Sequence, residues 1–391
     1  MYTYESPRPP SGLLMRDFDY DLPVEFIAQT PIEPRDNARL LVSIDPSLPV
    51  SHHRVADLAS FVEPGDVIVV NETKVIPARI LFTKPTGGAI EVLLVDRVDP
   101  DAAGPIEGNF AGAVPRAHNE RSWKALVRPS RKIAVGTRIT VSHELVIEFG
   151  DRVEGGQRIV RLLDPSTLQA LDASEEERIL NLVGQAPLPP YITSPLLDPS
   201  RYQTTFANLP GSSAAPTAGL HLTEDLISRC RAKGAEFHRV ELCVGLDTFR
   251  PVSVDKPEDH DIHSERFNVD TSVLVACSAA HERGNRVIAV GTTSVRALES
   301  AAGSNCGSGR TKLFIYGDYA FRVVDVLLTN FHLPRSSLLL LVEAFTGPRW
   351  RELYETAKAE NYRFLSFGDA MLLGRHQLPV GEKPTQSVLA N

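Results

Sequence analysis

The amino-acid sequence predicts an α/β main domain, a mixed sheet with flanking helices, carrying an inserted small β-barrel domain. Two observations lead there. Near-continuous apolar runs of strand length recur at Val67 to Val70, Arg286 to Val290 and Val323 to Leu328, each entering a polar turn and the last two continuing into a helix-compatible segment. Such runs suit strands buried on both faces of a sheet. Between about Leu81 and Leu163 the character changes to short β-rich runs separated by Gly, Pro and Asp turns. Closely spaced strands without helices are the pattern of a small barrel or sandwich. At 391 residues with 42% hydrophobic content, the chain is long enough for two or three domains with sizeable cores.

In chain order, residues 1–16 read as a loose leader. An amphipathic segment follows at Pro23 to Gln29, then a Pro-punctuated link whose Arg35 and Arg39 either hold an anion or lie on the surface, then a strand at Leu40 to Ser43. Gly65 to Val70 is a turn and a buried strand, closed by the polar bend Asn71-Glu72-Thr73-Lys74. The inserted runs fall at Ala89 to Val98, Trp123 to Val127, Arg138 to Val141, Leu145 to Phe149 and Gln157 to Leu163. Asp164 to Val183 reads helical, and Pro187 to Tyr191 stiffens the return to the main domain. The expected bounds are therefore 17–80 and 164–373 for a discontinuous α/β domain, 81–163 for the insertion and 374–391 for a loose tail.

From Gly211 onward, strand and helix units alternate. Gly211 to Leu222 is a small-residue loop, and Thr223 with Glu224 and Asp225 makes a helix start with acids in its first turn. Glu236 to Val244 reads as a strand, and His260, His263 and Glu265 fall in an irregular segment before a short strand at Arg266 to Val269. Asp270 caps a helix that Gly284 ends. Arg286 to Ser300 gives a strand, the turn Gly291-Thr292-Thr293, and a helix whose free N–H groups suit a carboxylate or phosphate. Asp325 falls inside the strand at Val323 to Leu328; beyond Asn330-Phe331-His332, Pro334, Ser336 and Ser337 open a helix with an apolar body to Phe345. In open α/β sheets ligands bind at the carboxyl ends of strands. His221, Thr292, Thr293, Arg296, Asn330 and His332 would then face one crevice.

Composition limits the partners. Lys plus Arg number 41 against 49 Asp plus Glu, a formal charge of -8, so nothing in the whole chain attracts nucleic acid or anionic lipid. One stretch reverses the sign: Arg116, Arg121, Lys124, Arg128, Arg131, Lys132 and Arg138 face the single acid Glu120. That run is either an RNA-backbone contact or a solvated basic face. No apolar run approaches the roughly 20 residues that cross a bilayer, and the first 17 residues are too polar and Pro-rich for a signal peptide. A cytoplasmic monomer with no membrane partner is expected. Cys230, Cys243, Cys277 and Cys306 have neither disulfide nor zinc spacing, so reduced thiols and no metal are expected. No Walker loop, GxGxxG, nucleophile elbow or zincin motif occurs.

Motif by motif, the chain carries FDYDLP, EPRDNAR, GDVIVVNETKVIPAR, PLPPYI, AAPTAGLH, VGLDTFRPV, IHSE, AVGTTSVRALES, FRVVDVLLTNFHLPRSSLLLLVEAF and YRFLSFGDAML. In that order, from about Asp17 to Leu373, it resembles the S-adenosylmethionine:tRNA ribosyltransferase-isomerase family of queuosine biosynthesis, with TNFHLP and GTTSVRALES the most specific blocks. The resemblance implies an α/β domain with an inserted β-barrel and S-adenosylmethionine as co-substrate, a ribosyl donor and not a methyl donor. The implied acceptor is 7-aminomethyl-7-deazaguanine at the tRNA wobble position, and the implied products are epoxyqueuosine, adenine and methionine.

That chemistry sets what the site should contain. A sulfonium acidifies the adjacent 5′ carbon, so a base must take a proton there, an acid must assist adenine's departure, and polar groups must hold the ribosyl oxygens. By residue type and position, His221, His332 and then His263 are assigned to proton transfer. Asp325 and Glu265 are assigned to the sulfonium or ribose, and Thr292, Thr293 and Arg296 to the methionine carboxylate. Thr217, Asn330 and Arg322 complete the expected substrate contacts, and Arg116, Arg121, Lys124, Arg128, Arg131 and Lys132 the RNA contacts. The sequence departs from the family pattern at Cys243 for His, Asp247 for Gly, Leu222 for Phe, Glu72 for Asp, Lys74 for Arg and Asp318 for Gly. Two other readings stay open on these departures: the same co-substrate used on a small deazapurine or amine, and a tRNA-binding protein without turnover.

Overall fold

Apolar runs with no polar alternation must be covered on both faces, and the larger unit of the structure is built around that requirement. The computed structural model describes residues 3–8, 11–84, 87–98, 121–245 and 251–376. They form two compact units: Val75–Leu188 with Pro210–Ala214, and the remaining described residues.

The larger unit holds ten strands: β1 (Thr3–Tyr4), β2 (Arg39–Ser43), β3 (Ser51–Arg54), β4 (Val67–Asn71), β5 (Glu236–Leu242), β6 (Glu265–Asn268), β7 (Val287–Val290), β8 (Ser308–Thr311), β9 (Val326–Asn330) and β10 (Ala370–Gly374). Their order is β1-β8-β6-β5-β4-β7-β9-β10-β2-β3. The central four, β5, β4, β7 and β9, run parallel, with Val67 beside both Glu236 and Val287, and Ile288 beside Val326. Their carboxyl ends, Leu242, Asn71, Val290 and Asn330, therefore share one edge.

Alternate residues of these strands point to opposite faces. Ile68, Val70, Ile288, Val290, Val326 and Leu328 join Leu226, Ile227 and Cys230 of helix α1 (Glu224–Ala232) in one buried cluster. Val67, Val69, Val287, Ala289 and Leu327 are fully buried as well, so the parallel strands are covered on both faces. Each such side chain contributes roughly 1.5–3 kcal/mol over an exposed one. The other helices of this unit are α2 (Thr271–Glu282), α3 (Thr292–Ser304), α4 (Ser337–Thr346) and α5 (Trp350–Ala359). Asp270 caps α2 through the Ser272 N–H, and Ser336 caps α4 through the Leu339 N–H.

Three local expectations change. The first residues are not a free leader throughout: Thr3–Tyr4 pairs with Arg310 and Thr311 as an edge strand, and Met15 is fully buried. Strand β9 begins at Val326, one residue after Asp325, because the N–H groups of Val323 and Val324 go instead to the buried Glu299 carboxylate. Of the expected tail, Gly374 still pairs with Val326 and His376 donates its N–H to the Phe345 carbonyl, while residues 377–391 lie outside the described residues.

In the smaller unit, seven strands form an antiparallel sheet in the order Gly184–Gln185, Arg79–Thr83, Ala89–Arg97, Trp123–Arg128, Gln157–Leu163, Leu145–Arg152, Thr137–Ser142. The helix Ala173–Val183 gives Ile179 and Leu180 to the same core as Ile80, Val92, Ile147 and Val160. That burial carries the unit past the expected 81–163, to Leu188.

Glu299, on α3, is fully buried and accepts from the N–H groups of Arg322 (2.9 Å), Val323 (3.0 Å) and Val324 (3.2 Å) and from the Tyr319 hydroxyl (3.3 Å). Burial raises its pKa, and those hydrogen bonds oppose the rise. Glu299→Ala strands buried donors, and urea unfolding should show a loss of about 3 kcal/mol, with Glu299→Gln losing less.

Candidate functional site

At the carboxyl edge of the parallel strands, Asn330 ends β9 with its side chain buried. Its Nδ2 donates to the carbonyls of Leu365 (3.2 Å) and Asp369 (3.4 Å), and its Oδ1 accepts from the Thr217 hydroxyl at 3.3 Å. Two carbonyl acceptors fix which end of the amide is nitrogen. Nδ2, with two hydrogens shared among these carbonyls and His221 Nε2 at 3.1 Å, is the donor to the ring, so that ring nitrogen carries the lone pair. His221 ends a short 3-10 turn, Thr217–His221, and is buried. Burial pulls its pKa down to about 4; a hydrogen bond with the Arg35 main chain opposes this, and the charges of Arg363, Arg35 and Arg201 add to it.

His332 lies two residues beyond Asn330. Its Nε2 meets the Thr329 hydroxyl at 3.0 Å, and burial lowers its pKa to about 3. A hydroxyl serves as donor or acceptor, so Nδ1, which bonds to no described residue, can be either lone pair or N–H. Two tyrosines hold the backbone of His332. Its N–H donates to Tyr354 Oη on α5 at 3.0 Å, and its carbonyl accepts from Tyr20 Oη. A shallow cleft open to solvent is lined here by Tyr191, Thr217, Asn330, His332, Leu338 and Ser366 among others.

The turn between β7 and α3 lies alongside. Gly291 has φ 86°, a conformation that favours glycine, and a Cβ there would lie 3.7 Å from Ala218 of the His221 turn. Thr292, Thr293 and Arg296 are buried at the start of α3. Arg296 donates through Nε to the Leu313 carbonyl (3.1 Å) and through Nη1 to Glu265 Oε2, while Glu265 Oε1 accepts from the Gly245 N–H at 3.1 Å. Antiparallel pairing of Leu242 with Phe267 brings the start of β6, and so Glu265, to the same edge.

The structure thus links His221, Asn330 and Thr217 by hydrogen bonds beside His332, places Thr292, Thr293, Arg296 and Glu265 at the same edge of the sheet, and sets three expected residues apart. Asp325 precedes Asn330 by five residues, about 16 Å along an extended strand. There it meets His281 Nε2 (2.7 Å), the Val287 N–H (2.9 Å) and Arg375 (3.5 Å), at the opposite edge of the sheet. Arg322 donates to the carbonyl of Ala302, ten residues past Thr292 and so about 15 Å up α3. His263 is exposed and does not line the cleft. Arg35 is spent on the carbonyls of Gln203, Leu220 and Ser200, and Arg39 stacks on Tyr362 at 3.8 Å, so neither is an anion site.

Of the basic run, Lys124, Arg128, Arg131 and Lys132 are exposed, while Arg121 lies 3.8 Å from buried Glu176 and Arg138 pairs with Glu148 at 2.9 Å. Arg116 and Asp247 lie outside the described residues. Leu222 is a core residue. The Cys243 thiol accepts from Arg266 at 3.3 Å. Tyr20, Tyr191, Tyr354 and Ser366 carry no expected role in the sequence reading. The signal available for three of them was their place in the FDYDLP, PLPPYI and YRFLSFGDAML motifs. Among the described residues no group of three or more His, Cys, Asp or Glu is placed to hold a metal ion, and no helix is long and apolar enough to cross a membrane.

A cleft at the carboxyl ends of parallel strands, walled in part by the buried imidazole of His332, defines the class: an α/β protein with its cleft where such folds bind ligands. The particular family follows from comparison with known proteins. The model of the queuosine biosynthesis protein family matches residues 15–373. Among similar proteins, the S-adenosylmethionine:tRNA ribosyltransferase-isomerase of Thermus thermophilus is 46% identical over 91% of this chain and 98% of its own. The protein of that name from Symbiobacterium thermophilum is 44% identical, over 92% and 99%. The crystal structure of S-adenosylmethionine tRNA ribosyltransferase from Thermotoga maritima is 35% identical over 91% of this chain and 99% of its own, with a TM-score of 0.49. The chain belongs to the queuosine biosynthesis family of S-adenosylmethionine:tRNA ribosyltransferase-isomerases, which are transferases.

Both site histidines are neutral in the fold, with pKa values lowered from 6.5 to about 4 and about 3. An unfolded chain binds those protons first, so the stability they contribute is full above about pH 6.5 and is lost as pH falls toward the folded values. Two histidines give a slope of up to about 2.7 kcal/mol per pH unit through that window. Urea unfolding between about pH 6.5 and pH 4.5 should show His332→Asn losing roughly half of this slope relative to the native chain. Parallel profiles would contradict a neutral buried ring.

Proposed function

We propose that this chain transfers and isomerises the ribosyl moiety of S-adenosylmethionine to 7-aminomethyl-7-deazaguanine at the wobble position of tRNA, giving epoxyqueuosine, adenine and methionine. The α/β unit carries the chemistry, and the seven-stranded unit serves as a small β-barrel module that meets the RNA. The observation that carries the reading is His332: a buried neutral imidazole on the cleft wall with Nε2 committed to a hydroxyl. Nδ1 of His332 takes the proton from the 5′ carbon that the sulfonium acidifies, and Thr329 adjusts to either ring tautomer. His221 has its Nε2 lone pair held by Asn330, so it acts first by shaping the cleft. Thr217, whose hydroxyl oxygen can still accept, binds a ribosyl hydroxyl in this reading, and Asn330 orients it.

For the RNA, Lys124 and Arg128 alternate to one face of their strand, and Arg131 and Lys132 follow in the next turn, all exposed. Those four supply phosphate contacts; Arg121 supports the unit through Glu176.

Incubation with S-adenosylmethionine and tRNA bearing the aminomethyl precursor should release adenine and convert the nucleoside. His332→Ala should slow release by about a hundredfold or more; an unchanged rate removes His332 from the mechanism. Adenine release that needs no tRNA would point to a small amine or deazapurine acceptor instead. Replacing Lys124, Arg128, Arg131 and Lys132 by Ala should flatten the dependence of log affinity on log salt by roughly 0.7–0.9 per lost phosphate contact. An identical slope would assign those residues to a solvated face.

A further inference from the structure

We infer that the first turn of α3 and the Arg296–Glu265 pair form a pocket that recognises both charges of a zwitterionic α-amino acid end. Three features of the site point there. Thr293 is 8% exposed and Arg296 7% exposed, yet Thr293 Oγ1 and Arg296 Nη2 have no hydrogen-bond partner among the described residues. Buried polar atoms without partners are uncommon in native proteins and mark places where a ligand completes the site. The Thr292 and Thr293 N–H groups open a helix of thirteen residues, where no intrahelical acceptor reaches them and the helix dipole favours negative charge. Thr293 Oγ1 folds back over this turn, 3.5 Å from where a Cβ on Gly291 would stand, so the absence of that Cβ leaves the approach open. Arg296 stands one turn further on the same helix face, and its side chain leans toward the helix start.

The second charge decides what kind of anion fits. Arg296 is already neutralised by Glu265, so a lone carboxylate would bury net negative charge. Glu265 uses one oxygen for Arg296 Nη1 and the other for the Gly245 N–H, and a carboxylate offers about four acceptor positions. An ammonium beside Glu265 and a carboxylate beside Thr293 and Arg296 add no net charge. The pair and the ligand then compensate one another. Glu265 is thereby assigned to the α-ammonium and not to the sulfonium, and the pocket holds the amino-acid end while the cleft at His332 holds the nucleoside.

The inference rests on the proposed function only in taking that amino-acid end to be the methionine part of S-adenosylmethionine. Its test is a binding measurement that needs no turnover, so its failure is separable from failure of adenine release. Calorimetric titration of the full chain with S-adenosylmethionine and with its decarboxylated analogue should give an affinity about tenfold or more weaker for the analogue. Thr293→Val should narrow that difference several-fold by weakening the carboxylated ligand alone, and Thr293→Ser, which keeps the hydroxyl, should restore it. Equal affinities for the two ligands, no measurable binding of either, or an equal loss for both in Thr293→Val would each overturn the assignment. Thermal unfolding of Thr293→Val checks that the chain is folded; if it is not, Thr293→Ser and the native chain still decide through the ratio of the two ligands.

Discussion

The buried amide of Asn330 is the constraint on which the rest of the site depends. It stands at the last position of β9 and meets Thr217, His221 and the carbonyls of Leu365 and Asp369. An amide with both ends committed inside a protein has one acceptable orientation, because any rotation leaves a buried donor or acceptor without a partner. The turn carrying His221, the chain around Leu365 and the end of β9 are therefore fixed against one another by a single side chain. The cleft wall follows from that registration, with His332 two residues further on.

Rigidity at His332 comes from the backbone and not from the ring. Tyr20 and Tyr354 bind its carbonyl and N–H, and Tyr354 packs against Phe331, Phe364 and Trp350. Among the described residues Thr329 alone bonds to its side chain. A ring held through its main chain, with one nitrogen on a hydroxyl, keeps its position while its proton changes place. Burial holds the ring neutral.

Opposite edges of the same sheet do different work. At the amino edge of the parallel strands, Asp325 with His281 and Arg375, and Asp66 with Arg286, close the ends of β9, β4 and β7. Glu299 does the same for the loop that leads into β9. At the carboxyl edge Asn330 is fully paired, while the buried Thr293 Oγ1 and Arg296 Nη2 have no partner among the described residues.

Much of this was legible in the sequence. Apolar runs at Val67 to Val70, Arg286 to Val290 and Val323 to Leu328 require burial on both faces, and strands buried on both faces stand at those places, the last of them from Val326. The motifs themselves determined the family. What the chain in one dimension could not determine is distance along an element. Asp325 and Asn330 are five residues apart, and extended backbone puts them at opposite edges; Arg322 and Thr292 are separated by the length of α3 in the same way. Hydrogen-bond competition was equally hidden: Glu299 takes the N–H groups that would have lengthened β9, and carbonyls occupy Arg35. Only tertiary structure decided those outcomes, because the partners of a buried polar group come from segments far apart in sequence, and periodicity records burial without naming what lies across the gap.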